Sequence, residues 1–140
     1  MILVVDASVA AKWFFRFRDD EPHMQQALAI LAGIDDGRVS MLQPPHFIAE
    51  MAAVLVREKP RDAQADLADL MELMFDEDDQ RALYGTAGEL ALRLNHHLFD
   101  TLYHAVALHT SGATLVTADR KYFDKAQAVG SIAYLSEFSL

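Results

Sequence analysis

The amino-acid sequence predicts an α/β fold of three layers, in which helices cover both faces of a central, mostly parallel sheet. Short apolar runs alternate with longer segments of helical periodicity, a pattern typical of βαβ units. The runs at 2–5 and 114–116 consist of Ile, Leu, Val and one Thr, as in strands buried on both faces. The chain of 140 residues contains no repeat and no dividing linker, so we expect a single domain over residues 1–140.

The N-terminal elements follow from apolar spacing and from helix breakers. The run at 2–5 predicts the first strand, and residues 8–17 predict a helix because their larger side chains recur at i, i+3 and i+4. A second helix is expected over 22–34, with a proline in its first turn and glycines near its end. Residues 38–42 predict a strand that the following "QPP" interrupts, and 46–58 predict a helix that a proline ends.

The middle of the chain is expected to be mostly helical. Residues 61–75 carry leucine and methionine at helical spacing, which predicts an amphipathic helix. The acidic run "DEDD" at 76–79 is typical of a solvated loop. We expect a brief strand at 81–85, "RALYG", and a helix over 86–95.

The C-terminal part predicts two further strands. A helix is expected over 98–111, where Gly112 suits a position just beyond its end. Ala113–Thr117 predicts a buried strand, and a short helix is expected after Asp119. Residues 131–135 predict the last short strand.

Composition excludes several classes of function. The absence of cysteine excludes disulfides, thiolate zinc sites and cysteine nucleophiles, and it favours an intracellular, cytoplasmic setting. We expect no signal peptide, and no apolar run approaches the ~18 residues of a membrane span. The net charge of −9 counts against a protein that simply coats nucleic acid. It fits a protein with a cationic partner, or a site whose clustered carboxylates a metal neutralises.

Four acidic residues either follow an apolar strand or lie among apolar side chains on a predicted helix. Asp6 ends the first strand, and Asp119 comes two residues after the strand at 113–117. Ligands bind beyond the carboxyl ends of parallel strands, so both acids are expected at that edge. Glu50 and Asp100 share helix faces with apolar side chains, at spacings of three, four and seven residues.

Each acid taken alone has a simpler interpretation. Asp6 and Asp119 both suit the N-cap of a following helix, and Asp100 suits the positive end of a helix dipole. Glu50 is expected in mid-helix, where no N-cap is needed. Partial exposure to solvent or an ion pair with an arginine would explain an acid at this position. Together the four predict one site, because converging carboxylates need a cation. Oxygen ligands without cysteine indicate Mg²⁺ or Mn²⁺ rather than zinc.

The acids and their surroundings resemble the PIN-domain family of metal-dependent nucleases, and more narrowly the VapC-type toxins of bacterial toxin–antitoxin pairs. The matching motifs are "VVDASVAAKW", "PPHFIAEMAAVL" and "LFDTLYHAVALHTSGATLVTADRKYF", and the resemblance extends over essentially the whole chain. It implies metal-binding acids at Asp6, Glu50, Asp100 and Asp119. The small polar residues that support such a site fall on Ser8 and Thr117. Where the family often has asparagine, this chain has Ala53, which removes a supporting hydrogen bond.

The resemblance also implies an activity and partners. It implies an endoribonuclease that cuts RNA with Mg²⁺ or Mn²⁺, a cognate antitoxin protein and a homodimer. The segment "KWFFRF" at 12–17 holds four aromatics in six residues, more than one helix face can bury. We expect some of them in the core and the remainder in an apolar patch for a partner.

Four other interpretations of the same residues fit the sequence less well. His97, Asp100 and His104 share one helix face and form an alternative metal site, although they span about 10 Å. A phospho-receiver lacks the acid that should end its middle strand, because Gln43 stands there, and a phosphatase of the HAD type lacks an acid at Ser8. A non-catalytic binding module of the same fold is the fourth interpretation.

Overall fold

The fold is described from a computed structural model that covers residues 1–140. It contains seven α-helices and five strands, joined in places by 3-10 turns. In chain order they are β1 Ile2–Val5, α1 Ala7–Ala10, α2 Met24–Asp35, β2 Ser40–Gln43, α3 Phe47–Glu58, α4 Ala63–Met71, β3 Asp76–Glu77, α5 Ala82–Leu94, α6 Leu98–His109, β4 Ala113–Thr117, α7 Arg120–Ala126 and β5 Ile132–Tyr134.

All strand pairs are parallel, and the order across the sheet is β3-β2-β1-β4-β5. Helices flank this sheet in three α/β/α layers, so the predicted fold class is confirmed. None of the helices combines the length and the apolarity needed to cross a bilayer.

The sheet reverses its winding direction between β1 and β4. These strands lie side by side, with Val5 opposite Val116, but the chain leaves β1 toward β2 and leaves β4 toward β5. At such a point the two connections diverge and leave a crevice beyond the carboxyl ends of the strands. Asp6 and Asp119 follow these two strands, so the topology brings both acids to this crevice.

The strands next to the crevice are anchored in the core. Leu3, Val4 and Val5 are completely buried, as expected for a central strand covered on both faces. Helix α6 packs against β1 and β4, and every residue from Thr101 to Ala107 is buried. A helix buried all round cannot rotate without breaking core contacts. Asp100, in its first turn, is therefore held at a fixed place beside β1.

Two predicted elements in the middle of the chain are wrong. Residues 81–85 do not form a strand but lead into and begin α5, whose Leu83, Ala87 and Leu90 are buried at helical spacing. The acidic run at 76–79 is not wholly a loop, because its first two residues form β3 and pair with Leu42 and Gln43. Both residues of β3 are exposed, and charged side chains on an edge strand discourage further pairing.

The predicted first helix is shorter and split. It runs as an α-helix to Ala10 and continues as a 3-10 helix only to Phe14. Trp13 is buried and donates a hydrogen bond from Nε1 to the carbonyl oxygen of Ala27 (2.9 Å). Phe17 lies beyond the helix and is 92% exposed. The aromatic segment is thus divided between core and surface, as its composition predicts.

Candidate metal centre

Asp6 is fixed by three hydrogen bonds that all reach the same carboxylate oxygen. Its backbone is extended after β1 and it caps α1, accepting from the backbone N–H of Ser8 at Oδ2 (3.4 Å). The hydroxyls of Ser8 and Thr117 also donate to Oδ2, the latter over 3.1 Å. Oδ1 accepts no hydrogen bond. Asp6 therefore caps a helix with one oxygen and leaves the other free for a ligand.

Ser8 and Thr117 join the ends of the two central strands. The Ser8 hydroxyl accepts from the backbone N–H of Ala118 (3.0 Å), and the Thr117 hydroxyl accepts from that of Asp119 (3.1 Å). Because each hydroxyl accepts from β4's connection and donates to Asp6, the carboxylate cannot turn freely. The two residues expected to support the site thus make the contacts such a role requires.

Three of the four predicted acids lie together in the crevice. Asp6, Glu50 and Asp100 each offer a carboxylate oxygen, and these oxygens lie within 4.8 Å of one another; we call them the Asp6 group. Glu50 comes from the first turn of α3, where it accepts a hydrogen bond from the Tyr103 hydroxyl (3.4 Å). Burial, and then the nearby carboxylates, hold the pKa of Tyr103 well above its usual range, so Tyr103 stays a hydrogen-bond donor.

Asp119 belongs to a second group that shares Asp100. His96, Asp100 and Asp119 offer ligand atoms within 4.8 Å of one another, and we call them the Asp119 group. Asp119 caps α7 by accepting from the backbone N–H of Tyr122 at Oδ1 (3.1 Å). All four acids predicted from the sequence therefore fall in these two groups. They form two sets that overlap at Asp100.

His96 was not among the candidates that the sequence indicated. Its ring is 7% exposed, and Nε2 lies 2.8 Å from Asp100 Oδ2. In the sequence, only the spacing of four residues between His96 and Asp100 suggests a contact. Because α6 begins at Leu98, His96 lies outside the helix, and helical spacing does not explain the contact. The contact depends on Asn95, whose left-handed backbone (φ 50°) ends α5 and redirects the chain.

The alternative metal site on α6 does not form. The two ring nitrogens of His104 are hydrogen-bonded to the Tyr122 hydroxyl (2.9 Å) and to the carbonyl oxygen of Gly130 (2.7 Å). Burial lowers the pKa of His104, which favours the neutral ring. His97 is exposed at the N-cap of α6. His104 therefore ties α6 to the chain before β5 and has no free nitrogen for a metal.

The electrostatics of the Asp6 group call for a cation. The pKa of Asp6 is raised to about 7, mainly by burial. The hydroxyl of Ser8 opposes this increase, whereas the charges of Asp100 and Glu50 add to it. Burial also raises the pKa of Asp100, although His96 opposes this. No lysine or arginine forms an ion pair with these three acids or with Asp119. Clustered oxygen donors without a lysine or arginine partner fit a hard divalent cation.

Comparison with known proteins places this geometry in a family. The family model described as "PIN domain" matches residues 3–129, which spans both groups of acids. The chain belongs to the PIN-domain family. A search of curated proteins finds no match to it. PIN domains are generally metal-dependent nucleases, and the oxygen-rich crevice of this PIN domain agrees with that chemistry.

Proposed function

We propose that this PIN domain is a Mg²⁺- or Mn²⁺-dependent endoribonuclease that serves as the toxin of a type II, VapBC-type toxin–antitoxin system. The observation that carries the nuclease proposal is the Asp6 group. Three carboxylates lie within 4.8 Å of one another at the winding reversal of the sheet, and no lysine or arginine pairs with them. A site of this kind is costly to fold unless it binds a cation.

The residues present fit a divalent metal. Asp6, Glu50 and Asp100 would hold one ion, and Asp100 and Asp119 would contribute to a second position, with His96 orienting Asp100 through its hydrogen bond. Such an ion lowers the pKa of a bound water and neutralises charge that develops on a phosphodiester. The chain's own part is to hold its ligands still: three hydrogen bonds to Oδ2 of Asp6 fix this carboxylate and leave Oδ1 without a hydrogen-bond partner.

Glu50 is placed either to bind the ion or to orient the attacking water. One of its oxygens accepts a hydrogen bond from Tyr103, and the other lies 3.3 Å from His46 Nε2. Both contacts restrain the carboxylate while its side chain stays 26% exposed, so water can reach it. A restrained, partly exposed carboxylate near a metal is suited to either role.

The proposed toxin role depends on the VapC-type motifs together with a surface suited to a protein partner. Phe17, 92% exposed, borders a cavity of about 340 Å³ that is lined also by Trp13, Phe14, Leu70 and Leu73. An exposed phenylalanine beside a cavity lined by six apolar and four charged residues is suited to a protein interface. We assign this surface to the cognate antitoxin, with a homodimer as the second expected assembly, and the cytoplasm as the site of action.

A circular RNA tests the nuclease proposal directly. We expect purified protein with Mn²⁺ or Mg²⁺ to open a circular single-stranded RNA, which an exonuclease cannot attack for lack of ends. Excess EDTA should stop the reaction, because the carboxylates cannot replace the charge of the ion. Gel electrophoresis separates circular from linear product. An intact circle under every metal would contradict the proposal and favour a non-catalytic binding module.

Expression in a bacterial host tests the toxin role separately. We expect induction without an antitoxin to arrest growth, and co-expression of the cognate antitoxin to restore it, because free enzyme cuts cellular RNA. Optical density and viable counts measure both effects, with the Asp6→Asn protein as the matched inactive control. Normal growth at high levels of soluble protein would contradict the toxin role and leave the in-vitro nuclease result standing.

A further inference from the structure

A polar, basic cavity lies beside the candidate metal centre. It has a volume of about 350 Å³, and no apolar residue lines it. Its lining residues are Asn95, His96, His97, Lys121 and Lys125. The absence of apolar lining makes it a poor site for a hydrophobic ligand. Because the protein has a net charge of −9, the two lysines make this cavity a positively charged region on a negatively charged protein.

The two lysines lie on one side of α7, and no acid forms an ion pair with either of them. Lys121 and Lys125 are four residues apart, a spacing at which like charges repel on a helix. Asp124, the nearest acid in sequence, pairs instead with Arg120 (3.2 Å). Lys121 makes no ion pair or hydrogen bond of its own. The pair therefore presents uncompensated positive charge to the cavity, which an anion would neutralise.

Lys125 connects the cavity to the metal centre through one imidazole ring. Its Nζ donates to the carbonyl oxygen of Asn95 (2.8 Å) and to Nδ1 of His96 (3.3 Å). Since an ammonium group only donates, Nδ1 is the acceptor, and Nε2 carries the hydrogen that His96 donates to Asp100 Oδ2 (2.8 Å). The cavity is thus separated by the width of a single ring from the carboxylate that both acid groups share.

We propose that this cavity binds a phosphate of single-stranded RNA next to the phosphodiester that is cut. The inference deepens the proposed function and rests on it. A cationic cavity without apolar lining matches the charge and hydrogen-bonding needs of a phosphodiester, and contacts of this kind set the register of a nucleic acid without reading its sequence. The remaining surface, with its excess of acids, repels the strand. Lys121 and Lys125 would therefore direct RNA toward Asp100.

Lys121→Gln is the sharpest test, because Lys121 has no structural partner to lose. Fluorescence anisotropy of a fluorescein-labelled single-stranded RNA measures affinity, with every protein carrying Asp6→Asn so that no RNA is cut. The matched control is Arg81→Gln, which removes one positive charge at the far end of α5, about 20 Å along that helix. Each titration is repeated between about 50 and about 200 mM salt.

We expect Lys121→Gln to weaken RNA binding about fivefold and to reduce the slope of log affinity against log salt by about 0.7, the value for one phosphate contact on a single strand. Arg81→Gln should leave both unchanged. Equal effects of the two variants, or a wild-type slope in Lys121→Gln, would overturn the cavity assignment. If wild-type protein cleaves no RNA, the proposed function fails, whereas the anisotropy data still decide whether the cavity binds phosphate.

Discussion

Asp6→Asn is expected to lower the rate of metal-dependent RNA cleavage by at least about 1,000-fold, equivalent to about 4 kcal/mol of transition-state stabilisation. Asparagine keeps an oxygen that can accept from the hydroxyls of Ser8 and Thr117, so the local hydrogen bonds survive. It removes the negative charge and leaves a weaker metal ligand. Initial rates on a labelled RNA with saturating Mn²⁺ measure the effect.

The same variant is expected to be more stable than wild type when no metal is present. The folded-state pKa of Asp6, about 7, lies above its ordinary value of 3.8, so the folded protein binds the proton more tightly than the unfolded chain does. The resulting stability is complete below pH 3.8 and is lost as the pH rises through 7. Above pH 7, ionised Asp6 costs wild type about 4 kcal/mol that Asp6→Asn avoids.

Thermal unfolding in EDTA checks this second effect. We expect the melting temperature of Asp6→Asn to exceed that of wild type by on the order of 10 °C at pH 8, and the difference to vanish near pH 4. Asp79→Asn is the matched control, because Asp79 is exposed and its side chain makes no ion pair. Full cleavage by Asp6→Asn would overturn the site, and a lower melting temperature at pH 8 would overturn the account of its burial.

The sequence alone predicts where the acids at the strand ends lie, because their placement follows from the topology of the sheet. An apolar strand that ends in an acid delivers it to the sheet edge, and this holds for Asp6 and for Asp119 whatever the loops do. Likewise, Glu50 and Asp100 could be foreseen because an acid on an apolar helix face must be directed toward the core side. Strand ends and helical periodicity, both visible in the sequence, therefore account for these four positions.

The division of the acids into two groups could not be foreseen in this way. It depends on the angle at which α6 leaves α5, and that angle is fixed by one left-handed residue, Asn95. His96 approaches Asp100 only because of this turn. Strand β3 was missed for a related reason: acidic residues have low strand propensity, and only the backbone pairing with β2 makes them extended.

The shared position of Asp100 predicts an unequal response to two conservative variants. Asp100→Asn alters both acid groups, whereas Asp119→Asn leaves the Asp6 group complete. We expect Asp100→Asn to weaken Mn²⁺ binding at least about 100-fold and Asp119→Asn at most about 10-fold, since carboxylates supply most of the attraction for a hard cation. Isothermal titration calorimetry with Mn²⁺ measures both, with Asp79→Asn again as control.

Both replacements preserve the local structure, so the comparison isolates the metal. Asparagine at position 100 still accepts from His96, and asparagine at position 119 remains a good N-cap for α7. RNA cleavage should follow the same order, with Asp100→Asn reduced at least about 1,000-fold. Equal losses of Mn²⁺ affinity in the two variants would mean that Asp119 acts with the Asp6 group, and a second metal position at Asp100 would then have no support.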